Sequence, residues 1–255
     1  MKLVVVMRQL PDLVEELEID SSGKDIDREY VKFVSNEWDE QALEEALLIK
    51  EATGAELCVV ALDEPEVDGT LYTALAKGAD RAVMLTGVAA GWLSTHDRAA
   101  ILSDWLAGES FDLVLTGVQA ADDLDGQLAA VLAARLGLPH AAVVVRVEAK
   151  DGIALISQEL GGGRAVEEEM RLPAVIGVQT ARQPPRYAAI SRVRQAMSAG
   201  ALEETPATVS AGARAGLRRL FPPQRSGHAE MLEGGAGEVA ERIIDILRSR
   251  GLVAQ

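Results

Sequence analysis

A loop that contains both glycines and carboxylates has the residue types best suited to binding chemistry in this sequence. It runs from Gly117 to Gln127, between an apolar segment typical of a strand and one typical of a helix. Backbone amides at the start of a helix attract anions, and a glycine lets a ligand approach the backbone closely. The order of strand, loop and helix therefore predicts a position for a phosphate group.

The acidic residues around this loop oppose that prediction. Asp63 and Glu64 follow another predicted strand, and the loop itself carries three aspartates, Asp122, Asp123 and Asp125. A like charge about 4–6 Å from a phosphate costs on the order of 1 kcal/mol even in well-solvated surroundings. The sequence thus leaves two outcomes open: a retained phosphate site, or one that is weakened, altered or lost.

Catalytic and metal-binding groupings are not apparent in the sequence. His96, His140 and His228 are far apart and lack the spacing of a metal site. Cys58 lies in an apolar run and is expected to be an inert core residue. Because no Ser–His–Asp or Cys–His grouping is suggested, we predict no catalytic residue.

Strands and helices alternate along the first 140 residues. Short apolar runs predict strands at 3–7, 57–62, 81–85 and 112–116, and helical periodicity predicts helices at 37–51, 67–77, 95–106 and 123–136. This alternation predicts an α/β fold with a doubly wound, mostly parallel sheet flanked by helices. Ligands of such sheets lie at the carboxyl ends of the strands, so the loops after Met7, Leu62 and Thr116 are the expected place.

The pattern changes after residue 140. Further strands are predicted at 141–147, 153–159, 166–172 and 173–178, with a hairpin turn at Asp151-Gly152. A segment of about 200–216, rich in Ala, Gly, Thr and Ser, predicts a linker, and 239–250 predicts an amphipathic helix. We therefore predict a core domain with a β-hairpin extension at 1–200. A linker, C-terminal arm and helix at 201–255 then fold back or wrap a partner subunit.

Bulk properties favour a packed globular protein. The chain has 255 residues, of which 48% are hydrophobic, and a formal net charge of −15. A negative surface repels nucleic acid and anionic membranes, so we expect neither as a partner. No apolar run reaches the 18 residues that suggest a membrane span. A single cysteine and the lack of a signal-like segment lead us to expect a cytoplasmic protein.

Short motifs along nearly the whole chain resemble the beta subunits of electron transfer flavoproteins. Each motif alone is weak, but their order and spacing together are specific. The motifs are Val6-Met-Arg-Gln-Leu-Pro-Asp12, Asn36-Glu-Trp-Asp-Glu40, Ala42-Leu-Glu-Glu-Ala46, Ala74-Leu-Ala-Lys-Gly-Ala-Asp-Arg81, Gly117-Val-Gln-Ala-Ala-Asp122, Leu172-Pro-Ala-Val175, Pro185-Arg-Tyr187 and Pro222-Pro-Gln-Arg225. With the strand–helix alternation, the resemblance implies a Rossmann-like fold of the adenine nucleotide alpha hydrolase-like type.

The resemblance implies an electron carrier rather than an enzyme. Beta subunits of this family form a heterodimer with an alpha subunit that holds most of the FAD contacts. The flavin takes electrons from an acyl-CoA-type or other flavin dehydrogenase and gives them to a downstream quinone oxidoreductase or a similar protein. In many members the beta subunit also buries one AMP, and in electron-bifurcating members a second FAD takes that region.

The family's cofactor contacts carry over to matching positions of this sequence. The resemblance places Asn36 near the adenine nucleotide and Trp38 near the flavin edge, although Asn36 and Asp39 also suit helix capping. Leu13 stands where some members have a tyrosine near the flavin. The cofactor-binding residues implied are Val6, Met7, Asn36, Trp38, Asp39, Leu62, Gly117, Gln119, Ala120, Asp122, Asp123, Asp125, Gly126 and Gln127.

A second segment resembles the family's docking loop. Arg186, Tyr187 and Ile190 match the part that recognises partner dehydrogenases, with Ile190 as the aliphatic anchor. The alternative is a helix start in which Tyr187 and Ile190 pack inward. The positive residues around it are expected to steer acidic partners, and they are Arg182, Arg186, Arg192 and Arg194.

Two other functions compete with the carrier. A nucleotide-binding sensor or enzyme of the same α/β class needs a glycine-rich phosphate loop after the first strand, and no glycine follows Met7 in 8–11. A bifurcating subunit with its own FAD stays within the family, and the loop at 117–127 does not decide between it and the simple carrier.

Overall fold

The computed structural model describes residues 1–14, 16–29, 31–88, 92–123, 126–208, 217–222, 229 and 231–253. The chain divides into two compact units, Met1–Leu220 and Phe221–Gln255. The sequence predicts a core at 1–200 and a linker, arm and helix at 201–255, and that division remains a prediction. The first unit contains the sheets, and the described part of the second contains one helix.

Strands and helices of the first unit alternate over most of its length. In chain order they are β1 (Lys2–Val6), β2 (Gln9–Pro11), β3 (Phe33–Ser35), α1 (Glu37–Thr53), β4 (Glu56–Leu62), α2 (Val67–Lys77), β5 (Arg81–Thr86), α3 (Thr95–Leu106), β6 (Leu113–Gly117), α4 (Leu128–Leu136), β7 (His140–Lys150), β8 (Ile153–Gly161), β9 (Arg164–Arg171), β10 (Ala174–Val178), α5 (Ile190–Ser198) and β11 (Leu202–Pro206).

Within the described residues, nine strands form one sheet in the order β11-β5-β4-β1-β6-β10-β7-β8-β9. Every pairing from β11 to β7 is parallel, and β8 and β9 extend the sheet as antiparallel strands. The mostly parallel sheet with an antiparallel hairpin confirms the predicted fold class. A parallel sheet is stable only when both faces are covered, which the helices provide.

Side chains of β1 alternate between two hydrophobic clusters, one on each face of the sheet. Leu3 and Val5 pack in the cluster that includes Leu43 of α1. Val4 and Val6 pack in the cluster that includes Leu102 of α3. Successive residues of a strand point to opposite faces, so one continuous apolar run serves both clusters. This arrangement is the doubly wound architecture predicted from the strand–helix alternation.

The strand order reverses between β1 and β6. From β1 the chain goes outward to β4 and β5, and it then returns to place β6 on the other side of β1. Ligands of open α/β sheets bind at such a switch point, in the crevice beyond the carboxyl ends of the strands. The ends of β1 and β6 are Val6 and Gly117, which puts both predicted site segments at this crevice.

The hairpin between β7 and β8 forms where the sequence predicted it. Asp151 and Gly152 have φ angles of 52° and 79°, the positive values that a tight Asp-Gly turn requires. The prediction of one strand at 166–172 is close to β9, which ends at Arg171 before β10 begins at Ala174.

Five elements differ from the sequence predictions. Helix α4 begins at Leu128 rather than at 123, because Gly126, just before it, has a φ of 58°, which is not helical. Strands β2 and β3 form a separate antiparallel pair. Strand β11 pairs in parallel with β5, although its residues were assigned to the linker. Helix α5 follows the docking segment and packs on α2.

The described helix of the second unit, α6 (Ala236–Ser249), agrees with the predicted amphipathic helix at 239–250. Glu238 in its first turn accepts a hydrogen bond of 3.0 Å from the backbone N of Gly235. Ile243 and Ile244 are exposed on this helix.

Candidate functional site

The residue that follows β1 is buried at the switch point. Met7 donates its backbone N–H to the Val60 carbonyl at 2.8 Å, which keeps the chain in line with β4. The next side chain, Arg8, is only 3% exposed. A buried guanidinium needs anionic or carbonyl partners to offset its lost hydration, so its surroundings define the chemistry of the crevice.

Asn36 links the start of α1 to the loop after β6. It occupies the N-cap position, but its side chain makes no cap hydrogen bond. Its Nδ2 instead donates to the carbonyl of Gln119 at 2.9 Å, and its backbone N–H donates to the Arg8 carbonyl at 3.0 Å. The cap role that residue type suggested is therefore wrong for the side chain, which joins three segments of the crevice.

Asp39 joins the same helix to the end of β6. Its Oδ1 accepts a hydrogen bond of 2.9 Å from the backbone N of Gly117, and its side chain is buried. Burial raises the pKa of the Asp39 carboxyl to about 7, although the nearby Arg8 guanidinium pulls it downward. Arg8 Nε lies 3.9 Å from Asp39 Oδ2, too far for a hydrogen bond.

Three buried polar atoms of this cluster have no hydrogen-bond partner among the described residues: Arg8 Nε, Asn36 Oδ1 and Asp39 Oδ2. Buried polar groups are nearly always paired with protein or ordered water. One donor and two acceptors are what a single water molecule can satisfy. These atoms mark the start of α1 and the residue after β1 as the polar part of the candidate site.

Trp38 lies at the first turn of α1 and is half-buried. A Cβ added at Gly117 would lie 2.7 Å from the Trp38 Cβ and 2.5 Å from Asp39 Oδ1. Only a residue without a side chain lets the first turn of α1 come this close to β6, so Gly117 determines the position of the Trp38 indole relative to β6. The sequence had assigned Gly117 to ligand approach, whereas the structure shows it in contact with the protein's own helix.

The loop after β6 turns sharply at Ala120. This residue is buried, and its carbonyl accepts a hydrogen bond of 3.0 Å from the backbone N of Asp123. Gln119 and Gln127 are exposed, and Gln127 precedes α4 without a side-chain cap. The prediction for Asp125 lies outside the described residues. Two further predicted positions, Val6 and Leu62, are core residues at the carboxyl ends of their strands.

An ion-pair network occupies the crevice between these segments. Arg8 pairs with Asp122 at 3.4 Å and with Asp123 at 3.3 Å. Arg98 of α3 pairs with Asp122 at 3.3 Å and makes a closer pair with Glu64. Both arginines are almost fully buried. Burial lowers the pKa of Arg98, but attraction to Glu64 and Asp122 outweighs it and leaves that pKa raised.

Arg98 and Thr95 are site residues that sequence reasoning missed. Thr95 Oγ1 donates to Asp123 Oδ1 at 3.0 Å. A signal for Arg98 existed, because it lies three and four positions before Ile101 and Leu102, on the apolar face of α3. A charged residue on a buried face implies a buried partner.

The docking segment is anchored at one side and exposed at the other. Arg186 makes hydrogen bonds of 2.8–3.0 Å with the buried Glu44, and Arg182 makes one of 2.8 Å with the fully buried Glu45. Tyr187 is 85% exposed and Ile190 is 59% exposed. The inward-packed alternative for these two side chains is therefore wrong.

The pairings of Arg182 and Arg186 also correct the predicted positive cluster. These two charges are matched by glutamates of α1, and Arg186 additionally contacts Glu51 at 2.5 Å. Their pairing leaves a smaller positive field around the segment than the sequence suggested. Arg192 and Arg194 are exposed members of that cluster on α5.

Other site types are not found in the described residues. No group of three or more His, Cys, Asp or Glu could hold a metal ion there. The thiol of Cys58 is buried in the described sheet, and burial raises its pKa to about 12, which agrees with an inert core residue. Within the described ranges no helix is long and apolar enough to cross a membrane.

Comparison with known proteins agrees with this architecture. Residues 24–210 match the model of the electron transfer flavoprotein domain. The chain is 36% identical to electron transfer flavoprotein subunit beta of Methylophilus methylotrophus, over 97% of this chain and 98% of that protein. It is 34% identical to the subunit beta of Syntrophomonas wolfei over 77% and 76%, respectively.

A third relative has a different name. The chain is 29% identical to the caffeyl-CoA reductase-Etf complex subunit CarD of Acetobacterium woodii, over 99% of this chain and all of that protein. The resemblance seen in the short motifs is therefore confirmed over nearly the full length. The chain belongs to the electron transfer flavoprotein family, as a subunit of the beta type.

Proposed function

We propose that this chain pairs with an alpha subunit that holds FAD, and that the heterodimer carries electrons between other proteins. The donor is an acyl-CoA-type or other flavin dehydrogenase, and the acceptor is a downstream quinone oxidoreductase or a similar protein. The flavin, when bound, supplies the redox chemistry. This chain acts as a carrier subunit that supplies docking and a wall for the flavin, and it makes no substrate bond itself.

The observation that carries this proposal is the anchored and exposed segment 182–190. Two arginines fix its backbone on buried glutamates of α1, while Tyr187 and Ile190 project from it. An exposed aliphatic or aromatic side chain on a rigid segment binds a partner pocket without a large loss of conformational entropy. Such a surface suits repeated docking of a dehydrogenase.

Residues near α1 fit the flavin side of the proposal. Trp38 is half-buried at the first turn of α1, and the contact between Asp39 and Gly117 fixes that turn. An aromatic side chain of this kind can line a flavin that lies between two subunits. Leu13 and Val14 are exposed apolar residues in the loop after β2, which suits a surface that a partner subunit covers.

The second unit fits a wrapping role. Helix α6 is amphipathic and none of its residues is buried within the chain, while Ile243 and Ile244 are exposed. Apolar side chains of an amphipathic helix are stabilised when a partner covers them. We propose that the alpha subunit is that partner and that residues 221–255 wrap around it.

The test is to co-express the chain with its partner subunit, purify the complex, release the ligands with acid and quantify FAD and AMP by chromatography. The carrier predicts one FAD per heterodimer and flavin reduction by a dehydrogenase. Two FAD per heterodimer would instead assign the bifurcating type. A stable complex without flavin, or no complex at all, would overturn the proposal and favour the nucleotide-binding sensor.

A further inference from the structure

The carboxylate of Asp123 accepts hydrogen bonds from three separate segments of the crevice. It accepts hydrogen bonds from the backbone N of Gly126 at 3.2 Å and from Thr95 Oγ1 at 3.0 Å. The guanidinium of Arg8 donates to its other oxygen at 3.3 Å. A backbone amide near a helix start, a hydroxyl and a guanidinium together form a donor set typical of a bound phosphate.

The second arginine of the crevice, Arg98, is also paired with carboxylates of the chain. Arg98 donates to Glu64 and, at 3.3 Å, to Asp122. Asp122 also accepts from Arg8 at 3.4 Å, so one carboxylate bridges the two guanidinium groups. Each arginine of the crevice therefore already has two carboxylate partners from the chain itself.

The charge of the crevice is unfavourable for another anion. Four carboxyl groups face the two guanidinium groups, and they are Asp39, Glu64, Asp122 and Asp123. Burial keeps Asp39 mostly neutral below about pH 7, as its raised pKa shows. Even with a neutral Asp39, the carboxylates outnumber the guanidinium groups. A phosphate would add negative charge where both guanidinium groups are already paired with carboxylates.

We propose that the Asp123 carboxylate, supported by Asp122 and Glu64, takes the position of a nucleotide phosphate, so that this chain binds neither AMP nor a second FAD between Arg8, Thr95 and Gly126. The family resemblance implies a nucleotide there, and the residues present do not fit its phosphate. The inference rests on membership of the family and on this geometry, and it does not depend on the electron route of the heterodimer.

This arrangement gives the crevice a built-in anion. Asp123 links Arg8 to the backbone of Gly126, just before α4, within the chain itself. Only 6% of the Asp123 side chain is exposed, which leaves little access for a competing anion. The loop and α3 are then held together whatever the nucleotide concentration.

The test uses the purified heterodimer with its FAD. Nucleotides released by acid are quantified by chromatography, and binding of added AMP and of inorganic phosphate is measured by calorimetry. The expected wild-type result is FAD without stoichiometric AMP, and no measurable binding of either probe. Asp123→Ala vacates the anion position and is expected to bind AMP or phosphate at least 10-fold more tightly than wild type does.

A matched control is Asp151→Asn, which removes the same charge from the exposed hairpin turn and is expected to behave as wild type. If Asp123→Ala does not assemble, Asp123→Asn is judged by the same criterion. Stoichiometric AMP or a second FAD in the wild-type heterodimer would overturn the inference. So would an assembled Asp123 variant that binds both probes no better than wild type.

The same preparation keeps this inference separate from the proposed function. FAD content and reduction by a dehydrogenase report on the carrier, whereas AMP content reports on the loop. A heterodimer that transfers electrons and contains AMP would contradict only the inference that Asp123 replaces the nucleotide phosphate. A heterodimer that lacks both FAD and AMP would contradict the proposed carrier function and would agree with the inference about Asp123.

Discussion

Oδ1 of Asp39 accepts a hydrogen bond of 2.9 Å from the backbone N of Gly117, and this contact holds the first turn of α1 against the end of β6. The two elements come so close that a β-carbon at position 117 would lie 2.5 Å from this oxygen. The glycine is thus set by the packing of a helix start against a strand end. The position of Trp38 depends on the same contact.

Gly117→Ala is expected to destabilise the complex by about 1–3 kcal/mol, because the new methyl group overpacks a buried contact. The measurement is the thermal unfolding midpoint at fixed protein concentration. Gly69→Ala is a matched control in α2, where an added Cβ meets nothing within 4 Å. Alanine favours a helix over glycine by roughly 0.5–1 kcal/mol, so the control should gain stability. Equal stability of the two variants would show that the contact at Gly117 is not tight.

Titration of Asp39 makes stability depend on pH. Burial raises the pKa of Asp39 to about 7 in the folded chain, whereas the ordinary pKa of an aspartate carboxyl is 3.8. Between these values the unfolded chain loses its proton while the folded chain keeps it. Raising the pH through this window therefore lowers stability, by on the order of 4 kcal/mol at the upper end. Above about pH 7 the loss is complete and stays constant.

Asp39→Asn removes this titration and keeps an oxygen that can accept from Gly117. Its stability relative to wild type is expected to rise as the pH increases from 4 to 7 and then to level off. The check is the unfolding midpoint of both proteins at fixed concentration across that range. The exposed Asp151→Asn variant should show no such trend. A constant difference between Asp39→Asn and wild type would mean that Asp39 stays ionised throughout.

Much of the core of the fold could be predicted because its signals are local. The strands β1, β4 and β6 are continuous apolar runs, and α1 has both helical periodicity and Gly54 to end it in a left-handed conformation. Elements that depend on distant partners were missed. Strand β11 contains two glutamates and is a strand because it pairs with the edge of β5.

The candidate site divides in the same way. Asn36, Asp39 and Gly117 were chosen from the sequence, and the structure brings them together. The sequence signals that Arg98 has a buried partner but not which one, because Glu64 and Asp122 come from the loops after β4 and β6, which only the folded sheet places side by side. The helix start predicted at Asp123 was wrong, since its side chain is used as an acceptor within the loop.

Arg186→Ala is expected to destabilise the complex by about 2–3 kcal/mol. The change leaves the buried carboxylate of Glu44 without its guanidinium, and an uncompensated buried charge is costly. The loss is smaller than for a fully buried pair because the Arg186 side chain is 29% exposed. The control is Arg192→Ala, which removes an exposed arginine of α5. The thermal midpoint checks the prediction, and equal midpoints for the two variants would contradict it.

Ile190→Ala tests docking without a change in the fold. The side chain is 59% exposed, so its truncation should leave the free energy of unfolding within about 0.5 kcal/mol of wild type. If Ile190 anchors a dehydrogenase, truncation should raise the KM for the heterodimer about 10-fold or more, since such anchors contribute over 1 kcal/mol. Steady-state electron transfer with varied heterodimer concentration measures this.

Met197→Ala is the matched control for that measurement. Met197 is also an exposed apolar residue, at the other end of the same helix α5. It should change the KM by less than about 2-fold if the anchor lies at the start of the helix, because few interface residues contribute strongly and they cluster at the centre. Equal effects of the two variants would indicate a broad apolar contact along α5 instead. An unchanged KM for Ile190→Ala would show that the dehydrogenase docks elsewhere than on segment 182–190. The carrier role of the heterodimer would then still be tested by its flavin content.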